Sequence, residues 1–199
     1  MLKKEVSIRI IKAVFVLMFS TLITACASVS VIDYPNITIN EEKKIETIRF
    51  VHPKSASTDS IKTCIIANVE NKDIPIRHSV GMWAMWTAFV LLPDKQDSIE
   101  GGDVILSDKD GVVQATGNVE LEPTINKRNF LIFLLTAQNI PNEGTELIFS
   151  KPSIVLEDTG AGRNPGAVPL GSHSIALFER NYNALELISN RIGSCLAEP

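Results

Sequence analysis

From Val113 to Glu122 apolar and polar residues alternate. Val113, Ala115, Val119 and Leu121 fall on one face, and Gln114, Thr116, Asn118, Glu120 and Glu122 on the other. That period of two is the signature of a strand with one face in a core and one in water. The alternation starts directly after Asp108-Lys109-Asp110-Gly111, and Asp-Gly is a strong short-range signal for a tight hairpin. Val104-Ile105-Leu106 stands before the turn as its partner strand. An antiparallel meander is therefore the organising feature of the chain.

Other segments join it. Ile37-Thr38-Ile39 and Ile45 to Val51 are β-prone, and Pro53 closes the second. Ile61 to Glu70 reads as a strand whose core face is Ile61, Thr63, Ile65, Ala67 and Val69. Its other face has Cys64 and Ile66 as apolar members and needs a cover. Phe130-Leu131-Ile132-Phe133-Leu134-Leu135 is wholly apolar, as a strand buried on both faces would be. Glu146 to Ser150 and Ser153 to Leu156 read as two short strands parted by Lys151-Pro152. Val80 to Leu92 carries no charge, holds both Trp residues and is read as core, strand and helix being left open.

After a Gly- and Pro-rich loop at 159–172, Ile175, Phe178, Tyr182, Leu185, Ile188, Ile192 and Cys195 recur every three or four residues. This is an amphipathic helix over 174–196, with Glu179, Arg180, Asn183, Glu186 and Asn190 on its polar side. Ser172 or Ser174 can cap its start. The expected fold is α+β: a mostly antiparallel, sandwich-like sheet of seven or eight strands with one C-terminal amphipathic helix. With 199 residues, 45% hydrophobic and 21% charged, the chain suits one globular domain and not a disordered or fibrous protein.

The N-terminus carries an address. Lys3, Lys4, Arg9 and Lys12 precede the uncharged stretch Ala13 to Ala25. Thirteen residues are too few to cross a bilayer core, which needs about 20. A basic start, a short apolar centre and small residues at its end make a secretory signal. Ile23-Thr24-Ala25-Cys26 resembles the lipobox of bacterial lipoproteins. The resemblance implies cleavage before Cys26, a diacylglycerol on its thiol and a palmitate-type acyl group on the new amine. Several acyl chains anchor firmly where one does not. By the enteric sorting pattern of the class it resembles, Ala27 in place of an aspartate implies the outer membrane, facing the periplasm. The organisation expected is a signal peptide at 1–25, a lipidated tether at 26–44 and one β-rich domain at 45–199.

Removing residues 1–25 takes four of 19 bases and one of 23 acids, leaving 15 against 22, a net charge of −7. An acidic body of this kind disfavours nucleic acid as a partner. Apart from Cys26, the cysteines are Cys64 and Cys195, a pair that an oxidising compartment favours as a disulfide. Docking the C-terminal helix over the outer face of strand 61–70 would bring the two thiols into one layer.

No chemistry stands out. His52, His78 and His173 lack metal-ligand spacing. Asp108-x-Asp110-Gly111 resembles half a calcium loop, but Leu106 and Gly117 stand where acids are required. No G-x-S-x-G or phosphate loop is present. Neither catalytic residues nor a cofactor are expected. The leading reading is a lipid-anchored, non-catalytic binding or assembly module of the cell envelope, with the membrane and an envelope protein as partners. The alternatives are a periplasmic enzyme with its site near loop 159–173 and His173, and a module facing lipid or an apolar ligand.

Overall fold

The computed structural model describes residues 34–77, 96–124, 127–158, 164–171 and 175–198. The expectations for Val80–Leu92, Cys26, His78, His173 and the capping serines lie outside the described residues. Residues from Tyr34 onward form one compact unit.

Its frame is a seven-stranded antiparallel sheet. The strands are β1 (Ile37–Ile39), β2 (Ile45–His52), β5 (Ile105–Lys109), β6 (Val112–Thr124), β7 (Lys127–Ile140), β8 (Gly144–Leu156) and β9 (Ala167–Pro169). The order across the sheet is β1-β2-β8-β7-β6-β5, and β9 also pairs with β8. A separate two-stranded sheet joins β3 (Ile74–Arg77) to β4 (Gln96–Ile99). Two helices complete the fold, α1 (Thr58–Asn68) and α2 (Ile175–Ala197). The class is α+β, mostly antiparallel, with a C-terminal helix.

The hairpin turn sits where Asp-Gly places it. Lys109 faces Val112, and Asp110 and Gly111 have φ of 55° and 78°. Two left-handed residues match the right-handed twist of the flanking strands. The segments 146–150 and 153–156 are one strand, β8, not two. Lys151, at φ 50°, kinks it, and the pairing with β7 slips between Ile132 and Leu134. The kink also changes the outer neighbour. Up to Ser150 β8 pairs with β2, and from Ser153 with β9.

Ile61–Glu70 is not a strand. Helix α1 occupies Thr58–Asn68, and its buried side chains are Ile61, Cys64 and Ile65, at helical spacing. Ser57 caps it by accepting the Ser60 N–H at 3.1 Å, and Asp59 lies in the first turn. Residues 61, 65 and 69 fit both a period of two and one of four, and the isoleucines favour the strand reading. The cap decides the local outcome. Ile66, for which a cover was expected, is 54% exposed.

Both helices pack on one face of the sheet. Val113, Ala115 and Leu121 of β6 are buried there with Leu131, Phe133 and Leu135 of β7 and Phe149 of β8. Gly117 admits Val69, where a Cβ would collide with the Val69 Cγ1. The opposite face is covered in part by the small sheet. Ile74 and Ile76 close on Phe130 and Val155, with Ile99 and Ile132 at the margin. This explains why the apolar run at 130–135 has both faces apolar. Leu134, beyond that cover, is 41% exposed.

Asn118, expected in water, is 8% exposed. The chain leaving α1 runs along this edge of β6, so that the Asn118 N–H meets the Glu70 carbonyl at 2.7 Å. The Asn118 Nδ2 donates to the Lys72 carbonyl at 2.7 Å.

Candidate functional site

Helix α2 organises the functional surface, and it is held from Phe178 to Leu196. Phe178, Leu185, Ile188, Ile192 and Leu196 are buried against the sheet or α1. Near its start the Phe178 ring lies 5.1 Å from that of Tyr34, and the Tyr182 ring lies 4.8 Å from Tyr34 and 5.6 Å from Phe50. Asn36 Nδ2 donates to the Tyr182 hydroxyl at 3.1 Å. Burial, the larger influence, raises the pKa of that hydroxyl.

At the other end Cys195 is bonded to Cys64 of α1, with Cα atoms 5.7 Å apart. The geometry differs from the expected docking of a helix over a strand: the bond links two helices on the same face of the sheet. The Lys54 ammonium donates to the carbonyls of Ala197 at 3.0 Å and Glu198 at 3.3 Å, placing a cation at the helix C-terminus. The two sulfur-bearing residues line an open cleft of about 640 Å³ with Lys54, Ser57 and Ser60.

Between these ends His52 Nε2 lies 2.8 Å from the Ser189 Oγ. A hydroxyl beside an imidazole is the geometry of an activated nucleophile. Here the Ser189 side is fully buried, so no substrate atom reaches the oxygen. The contact ties the end of β2 to α2. Burial, the dominant influence, lowers the His52 pKa. Among the described residues no group of three His, Cys, Asp or Glu is placed to hold a metal ion. Asp108 pairs with Lys62 of α1, which lowers the carboxyl pKa, and Asp110 sits in the hairpin turn.

Two hollows adjoin one flank of α2. An open groove of about 700 Å³ runs between Val119–Glu122 of β6 and the helix residues Glu179, Asn183, Leu187 and Arg191. Leu187 stands 52% exposed in its wall. Beside it is a smaller pocket of about 230 Å³, walled by Leu121, Ile154, Leu156 and Val168 with Asn129, Arg180 and Asn181. Leu121 and Arg180 belong to both hollows. The Arg180 Nη2 donates to the Glu122 carbonyl, which sets the guanidinium at their boundary. Glu120, also in the groove, is engaged by Arg128 through two bonds of 2.7 Å.

Sequence reasoning did not find this flank, because its residues come from β6, β7, β8, β9 and α2. One signal was present. Leu187 falls off the apolar stripe of the helix, where a leucine is not needed for packing.

No protein-family model matches the chain, and no curated protein matches it. The solved structure of a DUF4468 family protein from Bacteroides ovatus is similar over 83% of this chain and 92% of that one, at 8% identity and a TM-score of 0.41.

Proposed function

We propose that this chain is a lipid-anchored lipoprotein of the cell envelope acting as a non-catalytic binding or assembly module. Cys26 carries the lipid, and the domain works on the periplasmic side of the outer membrane. The observation that supports the reading is the groove along α2. It presents an exposed leucine on a helix whose position is fixed by a disulfide, an aromatic cluster and a half-buried hydrogen bond. A fixed surface with an apolar centre and a polar margin suits recognition, because little ordering is needed on binding.

The test is site-specific photo-cross-linking in intact cells, with a photo-reactive residue in place of Leu187 and, separately, of Ile66. Both positions are exposed and apolar, but only the first lies in the groove. A discrete adduct from position 187 and none from 66 is expected. Equal labelling from both, or none from 187, contradicts the reading.

A further inference from the structure

The two cysteines of the disulfide are unequally exposed. Cys64 stands in the middle of α1, beside the buried Ile61 and Ile65, and is itself 5% exposed. Cys195 is half-buried, in the last turn of α2. Both line the open cleft of about 640 Å³, walled by Lys54–Ser57 before α1 and by Leu196 and Glu198 at the end of α2. Thiol–disulfide exchange depends on which sulfur an incoming thiolate can reach. Here the reachable one is that of Cys195, with Cys64 behind it.

We propose that the Cys64–Cys195 bond is a site of thiol–disulfide exchange with a low-molecular-weight thiol. Cys195 carries the sulfur attacked, and the bond opens and recloses in the folded chain.

The incoming thiolate forms a bond to the Cys195 sulfur as the bond to Cys64 breaks. The Cys64 sulfur leaves with that electron pair and takes a proton from water. The product is a mixed disulfide on Cys195. A second thiol molecule attacks the sulfur of the first and releases Cys195. Two thiols become one disulfide, and the cysteine pair gains the two electrons.

The recess suits a small thiol. Its volume falls within the range of small-molecule sites, and its concave walls hold back the flatter surface of a protein. Reclosure follows from what else holds the helix end. Ile192 and Leu196 are buried on either side of Cys195. Lys54 donates to the Ala197 and Glu198 carbonyls, and Ser189 meets His52. None of these contacts uses a sulfur atom. With the bond open they keep Cys195 beside Cys64, at a high effective concentration.

The test is opening of the bond by mercaptoethanol in the chain from Ala27, without denaturant. Tyr34–Pro199 is one compact unit that contains every core residue named above, so this form folds without the first 26 residues. Samples are quenched in acid, alkylated and mapped by mass spectrometry. The adduct is expected on Cys195 in at least roughly tenfold excess over Cys64. Opening should be at least roughly tenfold faster than global unfolding extrapolated to zero urea. Circular dichroism should stay native, and replacing the thiol by its disulfide should restore the bond. Cys64→Ala and Cys195→Ala give a second reading. With dithiodipyridine, Cys195 in the first variant should react at least roughly a hundredfold faster than Cys64 in the second, and the two should react equally in urea. An adduct mainly on Cys64, equal reactivity of the two single thiols in the folded state, or opening no faster than unfolding overturns the site. Loss of the native spectrum on opening overturns reclosure in the folded chain. Opening by a protein dithiol, reduced thioredoxin, as fast as by mercaptoethanol at equal thiol concentration overturns the assignment to a small thiol.

Discussion

Gly193 lies within α2, where alanine would ordinarily stabilise a helix by about 1 kcal/mol. Here Gly193→Ala should destabilise the protein. A Cβ at this position would lie 2.5 Å from the His52 Cε1 and 2.8 Å from its Cγ, and closer still to Nδ1. The Cγ is the root of the ring, so a small rotation does not clear the clash. The ring must move away, and its 2.8 Å contact with Ser189 breaks. Ser189 is fully buried, so its hydroxyl loses a partner in a place without water, at about 1–3 kcal/mol. Overpacking adds about 1–3 kcal/mol. Against the propensity gain, the net loss is about 1–5 kcal/mol, or roughly 3–15 °C in melting temperature for a domain of this size. Urea unfolding of the chain from Ala27, disulfide intact, measures it. In a His52→Ala background the same substitution should become neutral or stabilising by up to about 1 kcal/mol. Stabilisation in the wild-type background, or an equal effect in both, would refute the reasoning.

Three further outcomes are expected. Cys64→Ala with Cys195→Ala opens a link spanning 131 residues, which chain entropy values at up to about 5 kcal/mol; calorimetry should show a fall of roughly 10–15 °C, and a loss under about 2 °C would remove the bond from the account. Asn118→Ala withdraws the donor to the Lys72 carbonyl and should cost about 1–3 kcal/mol in urea unfolding, while Asn190→Ala on the exposed side of α2 should cost under about 1. The lowered His52 pKa means that the unfolded chain binds its proton first as pH falls. Stability should therefore drop below the ordinary histidine pKa of about 6.5, down to the folded-state value, with no effect above neutrality. His52→Asn should flatten that part of the pH profile, and an unchanged profile would show that the proton goes elsewhere.

The parts of the fold readable from sequence are those set by local chemistry. Asp110-Gly111 dictates a hairpin, the alternation from Val113 aligns β6 with its core, and the stripe from Phe178 to Ile192 makes α2. The parts not readable depend on what covers what. Helix α1 contains enough β-branched residues to pass for a strand, and the signal that decides it is a single serine cap. Asn118 looks solvated until the chain at Glu70–Lys72 is known to pass over it. Gly193 admits the His52 ring, a close approach that nothing local to the helix announces. The kink at Lys151-Pro152 was visible as a break, but its effect, handing β8 from β2 to β9, is a property of the whole sheet. The groove and pocket were hidden for the same reason, since they are built by residues of five elements.

The lipid anchor is tested most directly by the intact mass of the chain purified from bacterial membranes. The account predicts a polypeptide that begins at Cys26 and carries a diacylglycerol on the thiol and one more acyl group on the amine. A mass beginning at Met1 or Ala27 with no added lipid would contradict it.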